Sequence, residues 1–200
     1  MEKSMYKLCK TEQSTLRQRE IEEALFDLMK AKRYEDITIT ELSEKMNMPR
    51  KAFYRYFDSK EDALAALIDH AMADYTGFSI ERSNDKNRSL TSELEEYFKF
   101  WMSRRELLAA LERSSVLGTL IERSINYPIE ERIAIAKFLP EDDPEVRSRI
   151  FKFAFAGMIY TMIEWYKSGF KTPARDMAKA TGRMFTTPLF PNLSSLGIGL

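Results

Sequence analysis

The chain has 200 residues, enough for one or two domains with a sizeable core. Apolar residues make up 44% and charged residues 31%, and 31 Lys+Arg balance 31 Asp+Glu, as in an ordinary soluble protein. Seven glycines and seven prolines are too few for a turn-rich all-β fold, and one cysteine with one histidine leaves no disulfide, zinc cluster or histidine-based catalytic dyad.

Helix-favouring residues predominate, so the expected class is all-α. The polar start MEKSMYKLCK lacks the apolar run of a signal peptide, and Cys9 within it is incidental. A first helix is predicted from about Thr11 to Lys32, with Ile21, Ala24, Leu25, Leu28 and Met29 as its apolar stripe. Tyr34 to Ile37 reads as a loop. From Thr38 to Lys60 the chain reads as two short helices, a tight turn and the start of a third helix. Thr38 and Glu41 form a capping-box pair, Asn47 suits a left-handed helix end, and Pro49 opens the next helix. Phe53 and Phe57 are spaced to bury together. Asp58 or Ser59 caps a fourth helix running to about Phe78, with Leu64, Leu67, Ile68 and Ala71 on its apolar face. The polar stretch Ser79 to Ser92 marks a loop or boundary. Helices follow over Glu93–Met102, Arg104–Arg113 and Val116–Ile125, the last capped by Ser114 or Ser115. Pro128 and Pro140 bracket a short helix, Asp142 to Ser168 is the longest helical stretch, and Thr172 and Pro173 open a last one that Pro188 ends. The most apolar run, Phe153 to Ile163, is shorter than the roughly 20 residues a bilayer requires, so a cytoplasmic protein is expected.

The packing of Phe53 and Phe57 leaves Arg50, Lys51, Tyr54 and Arg55 off the buried side of a short basic, aromatic helix. Arg and Lys there suit guanine edges or phosphates, and Tyr hydroxyls suit phosphate oxygens. A solvated face is the ordinary alternative reading of such a surface. The stretch resembles the DNA-binding domain of the TetR family of bacterial regulators, through Thr38, Ile39, Leu42, Met48, Phe53-Tyr54, Phe57, Ser59-Lys60 and Leu64. FYRYFDSKEDAL is similar to that family's hallmark. The chain departs from the pattern at Asn47, where Gly is frequent, at Ser43, where Ala is common, and at Pro49, where a Ser or Thr cap is usual. Resemblance and residue type together assign Thr38, Tyr54, Tyr56 and Lys60 to phosphates. Arg50 and Lys51 are expected to read base edges, and Ala52 to meet a thymine methyl.

The resemblance extends more loosely into the second half, through FKFWMSRRELLAAL and FAFAGMIYTMIEWYKSGFKTPARDMAKA. It implies a domain that binds a small effector and supplies a dimer interface. The domain division expected is 1–60 for DNA binding and 61–200 for ligand binding and dimerisation. Phe98, Trp101, Leu111, Phe151, Phe155, Met158, Met162 and Trp165 form an aromatic and methionine set, which is either a plain core or the lining of an apolar site. Glu164 is the polar residue that faces either solvent or such a site. Ile150, Gly157 and Thr161, with Met177, Ala180, Thr181 and Met184 on the last helix, are expected at a twofold interface. Paired acidic residues at Glu130-Glu131 and Asp142-Asp143 read as helix-start complements. No catalytic constellation, phosphate loop, metal site or cofactor motif is present in the sequence. The expected protein is a homodimeric repressor of a palindromic operator, not an enzyme, released by an apolar or aromatic effector. The competing readings are a helical sensor or scaffold without sequence-specific DNA binding, and a helical enzyme. Arg50, Lys51, Tyr54 and Lys60 weigh against the first and the absent catalytic groups against the second.

Overall fold

The computed structural model describes residues 11–82, 89–127 and 143–187. The bracketed helix between Pro128 and Pro140, the Glu130-Glu131 pair, the end at Pro188 and Cys9 lie outside these residues. The described residues are helical, without a strand. The helices are α1 (Glu12–Ala31), α2 (Ile39–Lys45), α3 (Arg50–Phe53), α4 (Lys60–Arg82), α5 (Leu90–Ser103), α6 (Arg105–Arg113), α7 (Leu117–Asn126), α8 (Pro144–Lys167) and α9 (Ala174–Thr186). A single 3-10 turn, Tyr34–Asp36, joins α1 to α2.

By packing, the chain forms two compact units that cut it elsewhere than at residue 60. The first holds residues 1–77 and 104–128, and the second holds residues 78–103 and 129–200. In the first, Ile21, Leu25 and Met29 of α1 are buried with Leu42, Phe53, Phe57, Leu64, Ile68 and Met72. Leu107, Leu108 and Leu111 of α6 are buried as well, and α6 packs on α1. The helix-turn-helix is too small to enclose a core, so α1, α4 and α6 complete it. In the second unit α5 packs extensively on α9 and also contacts α8. Leu94, Tyr97, Phe98 and Trp101 face inward from α5, and Phe155, Met158, Ile159 and Met162 from α8.

Helix ends follow the expected chemistry with several exceptions. The Thr38 hydroxyl accepts the Glu41 amide N–H at 3.1 Å, but the Glu41 carboxylate bonds Lys32 rather than turning back to the cap. Pro49 occupies the cap position of α3, one residue earlier than expected. Pro173 likewise takes the cap position of α9, with no side-chain cap. Asp143 caps α8 as an acidic helix-start residue should, accepting the Glu145 amide at 2.8 Å. Neither Ser114 nor Ser115 caps α7, which starts after Val116 without a side-chain cap. Ser115 instead takes a left-handed backbone, φ 58°, that closes α6. Helix α4 continues four residues beyond Phe78, because nothing in SIER breaks a helix.

Candidate nucleic-acid interface

The turn between α2 and α3 is built by a left-handed residue. Asn47 has φ 49°, its N–H donates to Glu44 O at 3.0 Å, and the Met48 N–H donates to Ser43 O at 3.0 Å. These two bonds are the helix-ending motif that a Gly usually serves, and Asn is the other residue that tolerates it. Pro49, extended at ψ 138°, then turns the chain into α3. The helix proper is a single turn, and bonds from Arg55, Tyr56 and Phe57 back to Ala52 and Phe53 carry the coil on to Phe57. Phe53 and Phe57 are fully buried, with ring centroids 5.6 Å apart.

That anchoring turns the other side of the coil to solvent. Arg50, Lys51, Tyr54 and Arg55 are exposed, and Ala52 and Tyr56 are half-buried. The Arg50 guanidinium donates to the Tyr54 hydroxyl at 3.1 Å, so the two side chains lie along one edge. Thr38 is exposed at the start of α2. Tyr56 borders an open groove of about 460 Å³ shared with Thr11, Gln13, Ser14, Leu16, Arg17 and Glu20 at the start of α1.

Lys60 is placed differently. Its ammonium donates to the carbonyls of Tyr34 and Ile37 at 2.7 Å each and lies 3.4 Å from that of Glu35. It also sits 4.2 Å from the centre of the Tyr34 ring. Tyr34 is buried, its N–H donates to the Ser114 hydroxyl at 2.9 Å, and its own hydroxyl donates to Glu61 at 3.1 Å. Burial, with the Glu61 charge beside it, raises the Tyr34 phenol well above its ordinary range, so it stays protonated. This cluster was not legible in the sequence, where residues 34–37 carry no pattern beyond a loop.

In the second unit, Phe98, Trp101, Phe151, Phe155, Met158, Met162 and Trp165 are all buried. Phe98 meets Trp165 edge to face, with centroids 5.3 Å apart. Leu111 belongs to the first unit, buried on α6. Glu164 is exposed, 3.7 Å from Lys167. Of the residues expected at a dimer interface, Ile150, Gly157, Ala180 and Met184 are exposed, and Thr161 and Met177 are half-buried. Thr181 is buried within its own unit, because it shares with Ala174 and Ala178 the inward face of α9. Sequence reasoning missed Val146, Phe153, Tyr160 and Phe185, which are exposed large apolar residues of α8 and α9. The all-round apolar pattern of α8 signalled them without saying which side stays uncovered.

A two-helix turn packed on a supporting helix, presenting Arg50, Lys51 and Tyr54 from its second helix, is the construction of a helix-turn-helix DNA-binding protein. The family described as "Bacterial regulatory proteins, tetR family" matches this chain over residues 21–67. Residues 21–67 thus form a helix-turn-helix domain of the TetR type, the DNA-binding domain found in bacterial regulatory proteins. Solved structures agree in fold. A tetR-family transcriptional regulator from Streptomyces coelicolor is 18% identical, with 84% of this chain and 80% of that one covered at a TM-score of 0.56. The fatty acid degradation regulator FadR from Bacillus halodurans is 15% identical, with 86% and 96% covered at 0.60. The dihydroxyacetone kinase operon activator DhaS is 15% identical, with 86% and 95% covered at 0.55. No curated protein sequence matches this one. Among the described residues, no helix is long and apolar enough to cross a membrane.

Proposed function

We propose that this protein is a homodimeric repressor that binds a palindromic operator and leaves it when a small apolar or aromatic effector binds. The observation that carries the DNA reading is the division of the α3 coil, with Phe53 and Phe57 locked in the core and Arg50, Lys51 and Tyr54 outside. A fixed coil presents its donors at a fixed register, which base reading requires. In this reading Arg50 and Lys51 meet base edges and Ala52 a thymine methyl. Thr38, Tyr54 and Tyr56 hold phosphates.

The apolar surface left on α8 and α9 supports twofold pairing, with Ile150, Gly157, Thr161, Met177, Ala180 and Met184 on or beside it. The effector is assigned to the aromatic and methionine core of the second unit, where methionines adapt to varied ligands. Release requires the effector to prefer a conformation that binds DNA less well. A 100-fold loss of operator affinity corresponds to a coupling of about 2.7 kcal/mol. Helix α4 has residues in both units and is the assigned link.

The test begins by sequencing the duplexes this protein retains from a random pool. The expected result is an inverted repeat with half-site centres roughly 34–36 Å apart. Arg50→Ala should relax preference at one base pair per half-site, at a cost of about 1–3 kcal/mol. Failure to retain any duplex would overturn the DNA reading. Transcription in vitro from the recovered operator sets the sign of regulation: repression is expected, and stimulation would replace repressor by activator.

A further inference from the structure

In the family pattern Lys60 falls at a phosphate contact, but its ammonium is already engaged. A lysine has three donors, and three backbone carbonyls, of Tyr34, Glu35 and Ile37, stand within 3.4 Å of this one. Those carbonyls lie at the 3-10 turn between α1 and α2 and converge on one point, where they draw a cation; that of Tyr34 also accepts the Ile37 N–H at 3.1 Å. The Tyr34 ring beneath the ammonium adds a cation–π contact. Moving Lys60 out to a phosphate would take this charged donor from the partly buried Tyr34 and Ile37 carbonyls. Lys51, by contrast, is exposed on the coil surface.

The turn is gripped from other elements too. Ser114, at the end of α6, accepts the Tyr34 N–H in a buried bond. The neighbouring Arg113 guanidinium donates to the carbonyls of Met29 and Lys30, in the last turn of α1. Glu61 accepts the Tyr34 hydroxyl. Four residues from α4 and α6 thus fasten the end of α1 and the six-residue stretch that leads to Thr38, the first residue expected at DNA.

We propose that Lys60 is a positioning residue for operator binding and not a phosphate ligand. It ties the start of α4 to the Tyr34–Ile37 turn, and this tie, with that of Ser114, sets where α2 and the recognition coil are held. The proposal rests on the DNA-binding reading above.

The experiment measures operator affinity of the full-length protein by fluorescence anisotropy, on a duplex recovered from the random pool, over about 50–300 mM NaCl. Lys51→Gln serves as the reference for a cation assigned to base edges, and should relax preference at one base pair. Loss of one phosphate contact should lower the slope of log affinity against log salt by about 0.9. For Lys60→Gln we expect an affinity lower by roughly tenfold at every salt concentration with the wild-type slope, the size of one charge-assisted hydrogen bond. Lys60→Arg separates the readings further. A phosphate ligand tolerates the exchange, whereas a flat guanidinium cannot point at three converging carbonyls and should lose affinity without a change of slope. Ser114→Ala, on α6, should weaken binding in the same parallel manner. A slope reduced by about one unit in Lys60→Gln, or full affinity in Lys60→Arg, would overturn the proposal. Unchanged affinity in both Lys60 variants would overturn it as well. Should Lys60→Gln not fold, as judged by circular dichroism, Lys60→Arg decides. If the wild-type protein binds no duplex, the DNA reading falls instead, so the two failures are distinguishable.

Discussion

The two tryptophans sit in one unit and are both buried, yet they differ by one hydrogen bond. The Trp165 indole N–H donates to Thr172 O at 2.8 Å, closing the turn between α8 and α9. The Trp101 indole N–H is fully buried with no acceptor. A buried donor without a partner costs about 1–3 kcal/mol. Trp→Phe at either position removes similar volume, so the difference between the two substitutions isolates the N–H. Trp101→Phe should lie within about 1 kcal/mol of the wild type, because the lost packing is offset by removal of the unpaired donor. Trp165→Phe should cost about 2–3 kcal/mol, because it leaves the Thr172 carbonyl without its donor as well. Urea midpoints measure both, and a larger loss at Trp101 would refute the argument. Under the proposed function, the same donor would favour an effector that carries a hydrogen-bond acceptor.

At the scale of elements, the sequence pattern was most legible where a single residue type answers a single backbone demand. Asn47 at the left-handed end of α2, Phe53 and Phe57 as the buried pair, and Asp143 before Pro144 were readable for that reason. Ser59 and Asp62 at the start of α4 complete a reciprocal cap of which the sequence revealed one half: the Ser59 hydroxyl accepts the Asp62 N–H and the Asp62 carboxylate accepts that of Ser59, both at 3.1 Å. What stayed hidden depends on partners distant in the chain. Ser114 looked like a helix cap because the residue that claims it, Tyr34, is 80 positions away. The direction of Lys60 depends on carbonyls, which no side-chain pattern encodes. His70 and Glu22 belong to the same category. Glu22 on α1 is buried, and its carboxylate lies 2.5 Å from His70 Nδ1 on α4. Burial raises the Glu22 carboxyl above its ordinary 4.5, opposed by the His70 hydrogen bond and charge and by Arg19. A group whose folded pKa lies above its unfolded one contributes stability at low pH that is lost as pH rises through the folded value. Glu22→Gln keeps an acceptor for His70 and removes the charge. Its urea midpoint should therefore gain on that of the wild type as pH rises from about 4.5 towards 8. A difference independent of pH would show that the buried charge carries no cost.

At the scale of the whole molecule, the unpaired apolar surface of α8 and α9 determines the assembly expected. Val146, Ile150, Phe153, Gly157 and Tyr160 recur at intervals of four and three along α8, the spacing of a helix seam that meets another helix. Phe153 is 72% exposed and Tyr160 61% exposed, values at odds with a helix meant to face water. A Cβ placed on Gly157 would meet nothing within 4 Å, so this point of the seam is open for close approach by a second helix. Met184 and Phe185 extend the apolar area onto α9. In a twofold dimer each residue of the seam counts twice. Burying one Phe side chain contributes about 1.5–3 kcal/mol, so losing Phe153 from both protomers removes about 3–6 kcal/mol, or roughly 100-fold to 10,000-fold in dimer dissociation. Phe153→Asp should therefore sediment as a monomer at a concentration where the wild type is dimeric, while its circular dichroism stays helical because the side chain contributes little to its own protomer's core. Phe153→Leu should remain dimeric. The monomer keeps its recognition coil and should still touch single half-sites, but without a tethered second half it loses the avidity that operator binding draws from two. A Phe153→Asp protein that sediments like the wild type, or a wild type monomeric at micromolar concentration, would place the interface elsewhere and with it the spacing of the half-sites.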